Sequence, residues 1–102
     1  MKNVEPASQS VSAIISVGTG VTPLLAADEN RRTVILQNCG IVPVFVKLGS
    51  GCTTSDFSFI LAAGTAANDG LGSMFGEDVL SYQGIITATT ASSTANVAVT
   101  SI

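Results

Sequence analysis

The chain has 102 residues, enough for a single domain around one core. Only 11% of them are charged, against about 25% in ordinary soluble domains. The formal charge is −3, so the basic footprint that would neutralise phosphates is missing and nucleic acid is not expected as a partner. No apolar stretch approaches the ~20 residues of a membrane-spanning helix, and the start of the chain, with Lys2, Asn3, Glu5 and Pro6, lacks a signal-peptide pattern. Synthesis and initial residence in the cytoplasm are expected, with no membrane partner. An exterior made mostly of Ser, Thr, Gly and Ala is weakly hydrated and predicts cover by neighbouring molecules.

Residues 1–10 show no apolar periodicity and predict an extended N-terminal arm, followed by one domain over residues 11–102. Residues 11–17 suit a strand ended by Gly18-Thr19-Gly20. Residues 21–25 suit a second, which Pro23 assigns to an edge or a bulge because it removes one ladder hydrogen bond. Residues 26–30 read as a loop. The segment from Arg31 to Gly49 holds three of the four basic residues and two β-rich runs around Asn38-Cys39-Gly40. It predicts an antiparallel hairpin of residues 33–38 and 42–48, with Asn38 and Gly40 supplying left-handed backbone at the turn. Alternation puts Val34 and Leu36 on one face and Thr33, Ile35 and Gln37 on the other. In the second run Val44, Val46 and Leu48 oppose Pro43, Phe45 and Lys47. Strands apolar on both faces are central in a sandwich or covered by another subunit.

Residues 49–56 read as a loop and residues 57–61 as a strand, with Phe57, Phe59 and Leu61 together on a core face. Residues 62–65 suggest a turn, residues 66–75 an irregular or weakly extended stretch, and residues 77–84 a short strand or turn. Residues 85–90 and 95–102 complete the set, with a small-residue turn between them. About seven to eight short strands and no credible helix predict an all-β domain, a single antiparallel β-sandwich or flattened barrel.

Chemistry is sparse. The chain has no His, the commonest general base and the usual partner of Ser and Cys nucleophiles. Asp28-Glu29, Asp69 and Glu77-Asp78 could pair for acid–base work or hold a hard cation, but all five fall in predicted loops and match no calcium-loop pattern. Cys39 and Cys52 lie at opposite ends of the second hairpin strand, about 20 Å apart at a strand's rise, beyond the reach of a disulfide. Two Cys are too few for a zinc site, so both are expected as small core thiols. Gly49-Ser50-Gly51 and Gly70-Leu71-Gly72 open no helix and precede no suitably spaced Lys, so they read as turns rather than phosphate loops. Arg31-Arg32 either grips an anionic group at a subunit interface or bridges locally to Asp28 or Glu29. The absence of Trp and the single Tyr82 disfavour a carbohydrate site. No catalytic residue, cofactor or metal is expected.

Residues 31–51, reading RRTVILQNCGIVPVFVKLGSG, the later FSFILAAG of residues 57–64 and the β-rich C-terminal run carry a resemblance. The chain is similar over residues 31–102 to small β-sandwich bacteriophage virion proteins, which often have Pro where this chain has Ala63. The resemblance implies a non-enzymatic structural virion protein. Its expected role is capsid decoration or cement, or a minor capsid protein, reinforcing the head through oligomeric contacts. The partners implied are the major capsid protein and the chain itself, as a homo-oligomer for which a trimer is one option. The alternative is a tail or fibre module that recognises a host receptor or glycan. Arg31, Arg32, Ile35 and Phe45 are the side chains expected at the interface.

Overall fold

β-Branched runs cut by Gly, Pro and Asn leave short strands as the available element. The computed structural model, which describes residues 11–77 and 82–102, contains β1 (Val11–Val17), β2 (Thr22–Leu25), β3 (Val34–Asn38), β4 (Val44–Lys47), β5 (Phe59–Leu61), β6 (Met74–Glu77), β7 (Ile86–Thr89) and β8 (Ala95–Ser101). They form two four-stranded antiparallel sheets, one in the order β1-β8-β3-β6 and the other in the order β2-β7-β4-β5. Among the described residues only β4 and β5 are consecutive strands that pair. Every other connection changes sheet, which makes the sandwich a jelly roll.

The predicted hairpin of residues 33–38 and 42–48 is therefore not formed. β3 pairs with β8 and β6, whereas β4 pairs with β5 and β7 in the opposite sheet. Asn38 explains the crossing. Its side chain is buried, its Nδ2 donates to Val42 O (2.9 Å) and Leu61 O (3.0 Å), and its Oδ1 accepts from Gly40 N (2.8 Å). Those bonds satisfy the backbone where the chain leaves one sheet for the other, which a bare hairpin turn would not require. Gly40 serves by its size rather than by a left-handed backbone, since a Cβ there would lie 2.5 Å from Ala95 Cβ. Gly72 closes the same corner, where a Cβ would collide with the Asn38 carbonyl oxygen.

The facial alternation does hold. Val34, Leu36, Val97, Val99, Ala95 and Val17 from one sheet meet Val44, Val46, Leu61, Ile86, Ala88 and Leu24 from the other in the core. β3 and β4 are inner strands of their sheets, as their doubly apolar faces predict. Pro23 stands on the edge strand β2, with a register shift between it and Leu25.

Two further expectations are revised. Phe57 does not share a face with Phe59 and Leu61, because the chain bends at Ser58 before β5 begins. Ser58 N donates to Val46 O (2.7 Å) and Ser58 Oγ accepts from Leu48 N (3.0 Å), and these bonds fix the bend. Phe57 turns outward against Phe45 with ring centroids 5.0 Å apart, while Phe59 stacks on Phe75 at 4.4 Å and joins the edge strands β5 and β6. The extended part of residues 66–77 is the strand Met74–Glu77, which pairs with β3. The predicted arm of residues 1–10, and residues 78–81 of the predicted strand or turn at residues 77–84, lie outside the described residues.

Candidate functional site

Among the described residues the carboxylates do not converge. Asp69 organises its own loop: Oδ2 accepts from Thr65 N (2.9 Å), Thr65 Oγ1 (2.8 Å) and Ala66 N (2.8 Å), and Oδ1 accepts from Leu71 N (2.9 Å). Hydrogen bonds to the charged form, led by the Leu71 and Ala66 amides, pull its pKa down to about 2. Both oxygens are committed to backbone and hydroxyl donors, so this group shapes a turn and is poorly suited to transferring protons at neutral pH. Asp28 Oδ1 accepts from Asn30 N (2.9 Å), and Asp56 pairs with Lys47 at 2.6 Å on the surface. Among the described residues no group of three or more His, Cys, Asp or Glu is placed to hold a metal ion. Asp78 lies outside the described residues.

The thiols are separate and reduced. Cys52 is buried; its N–H donates to Thr87 Oγ1 (3.2 Å) and its Sγ lies 3.3 Å from Phe45 O. Burial raises its pKa above the ordinary thiol value, which keeps it protonated and weakly nucleophilic. Cys39 is half-buried beside a shallow cavity of about 140 Å³ that it shares with Gly40, Ile41, Ala67, Thr94, Ala95 and Asn96. Pockets for small molecules start at about 300 Å³.

The four residues expected at one interface are dispersed. Arg31 is 3% exposed, with Nη1 donating to Ala26 O (3.1 Å) and Nη2 to Tyr82 O (2.9 Å) and Gly84 O (2.7 Å). Gln83 Nε2 returns a bond to Arg31 O (2.9 Å), so this arginine clamps two loops inside the chain instead of presenting a charge to a partner. Arg32 is half-buried, and its N–H donates to Ile102 O (2.7 Å) at the start of β3. Ile35 and Phe45 have opposite parity to the core residues Leu36 and Val46, but on different sheets. They face outward on opposite sides of the sandwich and cannot meet one flat partner together.

Each outer face instead gathers residues that the sequence reading left apart. On the β1-β8-β3-β6 sheet the register aligns Ile14, Ala98, Gln37 and Met74 in one row and Ser12, Thr100, Ile35 and Gly76 in the next. Neither row holds a charge. Ile14 and Met74, at the two edges of the first row, are 64% and 65% exposed. On the other sheet Phe45 pairs across strands with Ile60 and packs against Phe57, and Ile60 and Phe57 are exposed. The signal that could have marked Ile14 as outward is its alternation with Ser12 and Ser16 in Ser12-Ala13-Ile14-Ile15-Ser16. The Phe45 and Phe57 cluster could not be found that way, because the bend at Ser58 reverses the alternation. No family model matches the chain, and no curated protein or solved structure is similar to it at the level from which relationship is inferred.

Proposed function

We propose that this protein is a non-enzymatic structural subunit of a bacteriophage particle, a decoration or minor capsid protein that reinforces the head by lying against shell subunits and other copies of itself. The observation that carries the reading is the pair of uncharged outer rows on the β1-β8-β3-β6 sheet, flanked by exposed Ile14 and Met74. A flat face without charges loses little hydration when covered, and covering it removes apolar area from water. The jelly-roll order adds fold-level support, because viral capsid domains use it; lectins and cupins use it too, so fold alone does not choose among them. The resemblance of residues 31–102 to small phage virion proteins favours the first of these.

Quantitative peptide mass spectrometry on particles purified from cells carrying the gene tests the reading. A head decoration role predicts hundreds of copies per particle. A handful of copies would move the protein to the tail or fibre as a recognition module, and its absence from particles would overturn the virion reading.

A further inference from the structure

The four sheet edges are not alike. β2 is blunted by Pro23 and by the register shift that follows it, β5 has three residues, and β6 has four, one of them Gly76. These are the usual devices that stop an edge from recruiting another strand. β1 has none of them. Its seven residues contain no charge, Pro or Gly, and they pair with β8 without a register break from Val11↔Ser101 to Val17↔Ala95. Among the described residues no strand pairs with its other edge. Burial fades along the strand: Val17 is fully buried, Ile15 is half-buried against the core, and Val11 is 71% exposed.

We propose that β1 is a self-pairing edge: a second copy of this chain adds antiparallel to it across a two-fold axis at Ile14, merging two four-stranded sheets into one of eight. The strand is self-complementary in that register. Ile14 meets Ile14, Ser12 meets Ser16 and Ala13 meets Ile15. Val11, 71% exposed, meets Val17, which sits at the buried end of the other copy's core. Polar side chains thus oppose polar ones on the outer face, and apolar oppose apolar ones on the core side. Within β1 no charge faces its own copy, although the chain as a whole carries −3. An isologous contact of this kind closes at two copies. It stands on the edge alone and does not require the virion reading.

Sedimentation velocity of the full chain at about 100 μM tests it, with a dimer expected. Ile14→Lys places two ammonium groups across the axis and should raise the dissociation constant about tenfold or more. The side chain is exposed, so folding survives, which a thermal melt verifies. Met74→Lys, equally exposed on the far edge of the same face, should leave the dimer intact. The register is read in a Cys39→Ser background treated with diamide. There Ile14→Cys should cross-link to itself, and Ser12→Cys only when mixed with Ser16→Cys. A wild-type monomer or trimer overturns the proposal, as does equal dissociation by Met74→Lys, which would place the contact on the face. Self-cross-linking of Ser12→Cys would overturn the register.

Discussion

Removing the Asn38 side chain is the sharpest test of how the jelly roll turns its first inner corner. Asn38→Ala deletes two donations and one acceptance and leaves Val42 O, Leu61 O and Gly40 N without their partner. A lost hydrogen bond is worth about 1 kcal/mol net, but a stranded buried polar group costs about 1–3 kcal/mol. With some relaxation and entry of water, the sum is about 3–5 kcal/mol. A domain of this size has about 5–15 kcal/mol in total. In urea, with a slope of about 1.5 kcal/mol/M, the midpoint should fall by about 2–3 M, measured at one protein concentration so that self-association does not move it. Asn38→Asp separates hydrogen bonding from shape. It keeps the acceptor for Gly40 N but turns two donations into a carboxylate facing two carbonyls. Burial and those carbonyls raise its folded pKa above the unfolded value of about 3.9. Its stability is therefore fully present below pH 3.9 and lost as pH rises through the folded pKa, so it should be relatively weaker at pH 7 than at pH 4. A loss below about 1 kcal/mol for Asn38→Ala, or no pH dependence for Asn38→Asp, would refute this account of the corner.

Three other outcomes are expected. Because the folded pKa of Asp69 is lowered to about 2, its loop contributes stability above pH 3.8 that is lost as pH falls through 2. A carboxyl NMR titration giving an ordinary value would contradict the four-bond geometry. Arg31→Lys cannot span three carbonyls with one ammonium group and should cost about 2–3 kcal/mol. The Asp28 amide, bonded to Gln83 O at 2.8 Å, should exchange faster with solvent in that variant, and unchanged exchange would show that Arg31 does not hold the two loops together. Cys52 should resist iodoacetamide at pH 8 in the folded protein and react once urea exposes it, as peptide mapping would read. Prompt native-state alkylation would count against its burial.

Strand existence, and facing wherever the chain stays extended, were legible in the sequence because both are local; Phe57 was misplaced because the bend at Ser58 interrupts the pleat. The alternation of Val34 and Leu36 against Ile35 and Gln37 needs only the period of the pleat, and the placement of Pro23 needs only its missing N–H. Pairing was not legible. Asn38-Cys39-Gly40 satisfies a hairpin or an arch equally well at short range, and the arch is chosen by Leu61 O, 23 residues on, and by the close approach of Gly72. Arg31 is the same kind of case. A charged residue before a strand reads as surface, yet carbonyls 51 and 53 residues later bury it. The candidate surface inherited the error, since a hairpin would have put Ile35 and Phe45 side by side and an arch sends them to opposite faces.

The scarcity of charge sharpens what the edges must do. Among the described residues the charges within strands are Lys47 and Glu77, the last residues of β4 and β6, and Asp28, Glu29, Arg31, Arg32, Asp56 and Asp69 lie between strands, which leaves the sheet edges to avoid misassociation mainly by shape rather than repulsion. On one flank the sandwich does so thoroughly: β5 and β6 are short, and the Phe59–Phe75 stack ties them together. On the opposite flank β2 is guarded by Pro23, and β1 presents seven regular, uncharged residues. A fold that blunts three edges and leaves the longest one regular has spent its protection selectively. The Ile14→Lys and Met74→Lys pair measures that selectivity, because both add one charge to equally exposed positions of the same face and only the first touches the unguarded edge.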